Sequence, residues 1–221
     1  MNTIIPALPH PTSVAQTTAH LPKARFFGTM CMIAGVLFSF SFLALNPMLQ
    51  AFQGTLTDDS SRLIRCIVWC ATSVCLAGAP LGLITLHSGS SRLRRVPALA
   101  GVTLSLLGLV LYIVGSIYIY NAPDRAFRQL FTPGGSVLLT VGTLVLSFAI
   151  RGSKRLRGWR GYTPLAAGLY FPVQFPFQAI FFLGAGKGPM VLLLGVWGVF
   201  WFLLGYAIWS STSLPTQSNL D

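Results

Sequence analysis

The segment Phe171-Pro172-Val173-Gln174-Phe175-Pro176-Phe177-Gln178 holds the most unusual chemistry in this sequence, a Phe-Pro-x-Gln phrase repeated at an interval of four. Each proline removes one helical hydrogen bond and displaces the carbonyl four residues before it, so Gly168 and Pro172 lose their usual donors. Gln174 and Gln178, with Tyr170 on the same side, add polar groups to an otherwise apolar stretch. Freed carbonyls and amides at such a point suit a neutral or weakly polar ligand. Tyr170, Pro172, Gln174, Pro176 and Gln178 are therefore the candidate ligand-binding residues. The competing reading is structural: the prolines bend a helix for packing, and the glutamines bond to neighbouring helices.

Reactive chemistry is scarce elsewhere. Cys66 and Cys70 stand one helical turn apart and resemble a ligand pair, but a zinc site needs about four ligands. His10, His20 and His87 all fall toward the opposite end of the spans. No metal and no cofactor are expected, and the cysteines read as small apolar packing residues. A disulfide among residues within helices is geometrically doubtful. There is no Ser–His–Asp constellation and no phosphate loop after a strand. With candidate acids and bases nearly absent, the expectation is a protein that is not an enzyme.

Six apolar runs must position these groups: 26–46, 66–86, 96–120, 134–150, 164–184 and 189–209. None contains Asp, Glu, Lys or Arg. Runs of about 17–25 apolar residues cross a bilayer as helices, which keep their backbone polar groups paired in lipid. Only 9% of the 221 residues are charged, against about 25% in a soluble domain. The expected fold is an all-α integral membrane bundle of six transmembrane helices. Residues 1–25, with four prolines and no apolar period, read as a disordered cytoplasmic tail, and 210–221 as a short polar one. Intramembrane ionisable groups mark proton relays and ion-coupled pumps, so their absence argues against such transport.

Charge placement sets the orientation. Ten of the fifteen Lys and Arg residues fall on the side that carries the N-terminus and the second and fourth connections. Three of the four acids, Asp58, Asp59 and Asp124, fall on the other side. The positive-inside rule then puts both termini in the cytoplasm, and the default location is a bacterial inner (plasma) membrane. The net charge of +11 reports this orientation rather than a nucleic-acid partner. Trp69, Tyr118 and Tyr120 are expected at the outer interface, with Trp159, Tyr162, Tyr206 and Trp209 at the cytoplasmic one. Arg151, Lys154, Arg155, Arg157 and Arg160 in the fourth connection are candidate contacts to anionic lipid.

Small residues form stripes. Gly101, Gly108 and Gly115 recur every seven residues with Ser105 between them, and Ser136, Thr140, Thr143 and Ser147 share a face of the fourth run. Glycines let helix backbones approach, and hydroxyls bond across the contact, so these are expected packing residues. Gly195, Gly198 and Gly205 beside Trp197 and Trp201 fit either an internal helix contact or a homodimer seam. Gly89-Ser-Ser-Arg-Leu-Arg and Gly152-Ser-Lys-Arg-Leu-Arg form a weak internal repeat, each followed by a proline at the next helix entry. The leading expectation is a non-catalytic membrane protein that binds a lipid-like ligand or a membrane partner, either a second copy or another subunit. The alternative is a facilitator or exporter of an uncharged solute through a cavity lined by the fifth helix.

Overall fold

The computed structural model describes residues 11–52, 55, 57–86, 92–121, 125–151, 156, 158–183 and 190–212. Helix α1 (Pro11–Phe40) passes through a π turn (Ser41–Leu45) into α2 (Asn46–Ala51). Pro47 accounts for the turn. It has no N–H, and its ring crowds the Leu43 carbonyl, so the Asn46 N–H bonds five residues back to Ser41. The stretch expected as a tail is helical from Pro11 onward. Its last part docks: Ala24 is buried, and Arg25 Nε donates to Thr212 Oγ1 at 2.9 Å.

Helix α3 (Asp58–Leu76) starts well before the apolar run because its first turn is capped. Thr57 Oγ1 accepts from the Ser60 N–H at 3.2 Å, and Asp58 and Asp59 lie where the helix dipole favours negative charge. At Ala77 the chain tightens, its N–H shared between Ser73 and Val74, before α4 (Gly78–Leu86). Pro80 is the cause, since its ring excludes the Leu76 carbonyl. Next come α5 (Arg92–Asn121), α6 (Arg125–Ile150) and a 3-10 turn (Gly158–Gly161). Then follow α7 (Thr163–Gln178), a second π turn (Ala179–Leu183) and α8 (Val191–Ser210).

Six stretches are long and apolar enough to cross a membrane: Pro22–Ala51, Asp58–Leu86, Arg95–Tyr118, Phe131–Ile150, Thr163–Phe182 and Val191–Ser210. No strand occurs among the described residues. The stretches pack as a ring in chain order, each beside the next, and α8 closes the ring against α1. Helix α4 lies inward, touching α6 and α8 as well as α1 and α5.

Two antiparallel pairs dominate the packing, and both are glycine seams. In the α5–α6 pair, a Cβ at Gly101 would lie 2.8 Å from the Gly142 carbonyl oxygen, and one at Gly108 would lie 2.7 Å from that of Gly135. In the α1–α8 pair, a Cβ at Gly28 would meet the Gly205 carbonyl at 2.8 Å, and one at Gly35 the Gly198 carbonyl at 2.5 Å. Each seam matches glycines seven residues apart on both helices, a spacing that returns them to one face. Gly198 and Gly205 thus face α1 of the same chain.

Candidate functional site

The polar phrase on α7 is closed upon itself. Pro164 enters the first turn, where a missing N–H carries no penalty, and Thr163 Oγ1 donates to the Arg160 carbonyl at 2.8 Å. Beyond Pro172 and Pro176 the helix recovers, with the Ala179 N–H bonded to both Phe175 and Pro176. Gln174 and Gln178 are buried, one turn apart, and Gln178 Nε2 donates to Gln174 Oε1 at 2.5 Å. The remaining amide donor, Gln174 Nε2, is buried without a partner. Around this pair, the other side of α7 and of the π turn after it is exposed and apolar, with Val173, Phe175 and Phe177 on the helix and Ile180 and Phe181 on the turn.

Two side chains pin α7 to α8. Tyr170 O–H donates to the Leu193 carbonyl at 2.7 Å, and Trp197 Nε1 donates to the Ala167 carbonyl at 3.0 Å. A carbonyl has two lone pairs, so both oxygens can accept these bonds beside their helical ones. Gly168 packs against the Leu144 side chain of α6, where a Cβ would sit 2.9 Å away. Tyr170, Gln174 and Gln178 therefore share one helix but not one recess: Tyr170 reaches α8, while the two amides reach each other.

The centre of the bundle is filled by rings. Tyr112 of α5 stacks on Trp69 of α3 at 6.1 Å, and Trp69 meets Phe38 of α1 at 5.5 Å. Phe38 meets Trp197 of α8 at 5.4 Å, and Trp197 stacks on Phe171 of α7 at 5.1 Å. The Tyr112 hydroxyl bonds to Ser136 of α6, so the chain of contacts links all six long stretches. Trp69, expected at an outer interface, is half-buried, its ring against Phe38, Phe42 and Tyr112. Trp159, Tyr206 and Trp209 instead form a stacked series at the end where α8 finishes, with Tyr162 exposed nearby in sequence.

The hydroxyl stripe on α6 is also largely self-satisfied. Ser136, Thr143 and Ser147 donate to the carbonyls of Thr132, Leu139 and Thr143 within their own helix. Thr140 Oγ1 and Ser105 Oγ are buried without a partner, Ser105 lying against Gly142. Gly115 faces Phe131, where a Cβ would come within 2.8 Å of the Phe131 Cβ.

Two cavities lie at the periphery. A furrow of about 350 Å³ opens along the α1–α8 seam between Phe40 and Phe202, floored by Gly35, Ser39 and Gly198. Its cause is the seam itself, because two glycines and a serine leave no side chains to fill the valley between the flanking Val36 and Val199. Ser39 Oγ, donating to the Gly195 carbonyl at 2.8 Å, leaves the furrow almost wholly apolar. The second cavity, about 220 Å³, lies between the end of α6 and the start of α7, and Ser147, Arg151, Leu156, Gly161, Tyr162 and Leu165 line it.

Of the basic residues expected to meet lipid, Arg151 borders this second cavity, and Arg160 Nη1 donates to the Ser210 carbonyl at 3.4 Å. Lys154, Arg155 and Arg157 lie outside the described residues. Cys31, Cys66, Cys70 and Cys75 are free thiols, and Cys31 Sγ donates to the Trp201 carbonyl at 3.2 Å. Among the described residues, no three His, Cys, Asp or Glu side chains come together. The furrow is the feature the sequence reading missed. Its signal was present in the seven-residue glycine spacings shared by the first and last runs, which the sequence did not say were neighbours. Comparison with protein families, curated proteins and solved structures returns no match.

Proposed function

We propose that this chain is a six-span membrane protein with both termini in the cytoplasm of a bacterial cell. On this reading it does no chemistry and holds lipid, or a partner helix, along its outer surface. One contrast supports the reading: rings fill the centre, whereas the larger cavity is an apolar furrow open to the side. A conduit needs a polar path, and the hydroxyls and amides that could make one are mostly bonded to their own helices. An apolar furrow facing hydrocarbon takes an acyl chain or a helix ridge, since neither needs a hydrogen bond there.

The test is native mass spectrometry of the full chain released from gently solubilised membranes. Retention of defined lipid molecules, or of a second membrane subunit, is the expected result. Retention of a polar solute, lost on Gln174→Leu with Gln178→Leu, would instead establish the second reading, a facilitator of an uncharged solute. That reading has one observation in its favour: Gln174 Nε2, Thr140 Oγ1 and Ser105 Oγ are buried donors without partners.

A further inference from the structure

Helix α3 brings two nucleophilic side chains together. Cys66 and Cys70 are four residues apart, a spacing that puts their Cβ atoms about 5–6 Å from each other on one face. Both are free, partly exposed thiols, close enough to interact with each other. Cys31, by contrast, is fully buried and donates its S–H to the Trp201 carbonyl. Cys75 lies five residues beyond Cys70, a spacing that turns it away from the pair.

The surroundings leave the pair reachable. The helical period puts it between Trp69, which packs on Phe38, Phe42 and Tyr112, and the exposed side chains of Leu63, Ile67 and Val74. Arg62 lies one turn nearer the start of α3, but Asp59 already pairs with it at 2.9 Å. Arg65, immediately before Cys66, enters no ion pair among the described residues, and its Nε is buried without a hydrogen-bond partner. Its uncompensated charge favours any nearby species that is net negative.

Two sulfurs are too few for zinc, which takes about four ligands. They suffice for copper(I), a soft ion that thiolates select and that accepts two ligands in a line. Rotation about the two Cα–Cβ bonds sets the sulfurs on either side of one ion while the helix stays intact. Binding breaks two S–H bonds, forms two Cu–S bonds and releases two protons to solvent. The resulting bis-thiolate complex carries one net negative charge, which Arg65 offsets.

We infer that Cys66 and Cys70 form a two-coordinate binding site for copper(I). The site goes beyond the lipid-holding reading and is independent of it, because both ligands lie on one helix away from the furrow.

The experiment titrates the full chain, purified in detergent under reducing and oxygen-free conditions, with copper(I) in competition with bicinchoninate. Wild type should hold one copper per chain, and X-ray absorption should show two sulfur neighbours. Cys66→Ser and Cys70→Ser should each weaken binding about 100-fold, the advantage that a second tethered ligand gives. Cys70→Ser with Val74→Cys keeps the number of thiols but sets the pair about 12 Å apart along the helix, and should weaken binding equally. Cys75→Ser should change nothing.

A wild type that cannot compete for copper overturns the site. So does tight binding that survives in Cys70→Ser with Val74→Cys, or a third sulfur neighbour in the absorption spectrum. A second readout needs no variant: copper(I) should protect Cys66 and Cys70 of folded wild type from iodoacetamide, read by peptide mass spectrometry. Unchanged alkylation at both, with copper bound, places the metal elsewhere and refutes the assignment. Failure to retain lipid in the native mass spectrum bears only on the lipid-holding reading.

Discussion

The α1–α8 seam offers the sharpest quantitative test, because a single methyl group probes it. A Cβ at Gly35 would lie 2.5 Å from the Gly198 carbonyl oxygen, 2.5 Å from the Phe202 nitrogen and 2.9 Å from the Phe202 Cα. All three obstacles are backbone atoms, so no rotamer change relieves them. Ordinary contact begins at 3.4 Å, which means the two helices must separate locally by most of an ångström. Overpacking of this kind costs about 1–3 kcal/mol, and the rigid obstacles put Gly35→Ala in the upper half of that range. Replacing a mid-helix glycine by alanine returns up to ~1 kcal/mol of helix propensity. The net expectation is destabilisation of about 1–2 kcal/mol.

Gly134 of α6 supplies the internal control. A Cβ there would meet only Leu111 Cδ1, at 3.9 Å, so Gly134→Ala should be neutral or stabilising by up to ~1 kcal/mol. Both variants exchange glycine for alanine inside a long apolar helix, and only the neighbouring atoms differ. Reversible unfolding in mixed micelles of increasing sodium dodecyl sulfate, followed by tryptophan fluorescence, measures both. Trp197 and Trp201 are fully buried beside the seam and report its opening. Equal effects at the two positions, or a stable Gly35→Ala, would refute the close antiparallel approach of α1 and α8.

Two further outcomes follow from named contacts. Gln178→Leu alone strips Gln174 Oε1 of its donor while Gln174 stays buried, and should cost about 1–3 kcal/mol in the same unfolding assay. Gln174→Leu with Gln178→Leu removes both partners and should cost far less than the single change; a larger loss for the double variant would mean that the amides serve something outside the pair. For topology, the four native cysteines are first replaced by serine or alanine, and Asp59→Cys and Arg160→Cys are then compared in intact cells. A membrane-impermeant maleimide should label Asp59→Cys from outside and Arg160→Cys only after permeabilisation; the reverse pattern would overturn the orientation drawn from the basic residues.

The six helical stretches were legible because length and the absence of charge are properties of each segment by itself. Their ends were less so. Asp58, Asp59 and Arg62 break the apolar run, yet the helix extends over them because Thr57 caps it and Arg62 pairs with Asp59 at 2.9 Å. The glycine stripes were visible as spacings, but what a glycine faces depends on a second helix, and Gly28 and Gly205 stand at opposite ends of the chain. Trp69 shows the same limit. An aromatic near the end of an apolar run reads as an interfacial anchor, and nothing in that run shows that its half-buried ring packs on Phe38, Phe42 and Tyr112 from the first and third long stretches. The amides of Gln174 and Gln178 were legible as polar groups needing partners. That each would find the other follows from their i, i+4 spacing, a geometry equally available to a ligand-facing pair.

In a bilayer, helix burial brings little hydrophobic gain between one apolar helix and another, so close packing and hydrogen bonds must select the pairing. In this structure two glycine seams pair α1 with α8 and α5 with α6, and the ring contacts of Trp69 with Phe38 and Tyr112 join the two pairs. Such an arrangement uses its small residues and aromatic rings internally and leaves α7 as the least buried of the six long stretches. The seam that brings α1 and α8 together also opens the furrow beside it, because residues small enough for backbone contact cannot fill the adjoining valley. The proposed lipid contact is thus a by-product of the packing that holds the bundle closed. A side chain large enough to occupy the furrow from Gly35 or Gly198 would abolish both together, whereas one introduced from Val36 or Val199, on its rim, separates binding from stability.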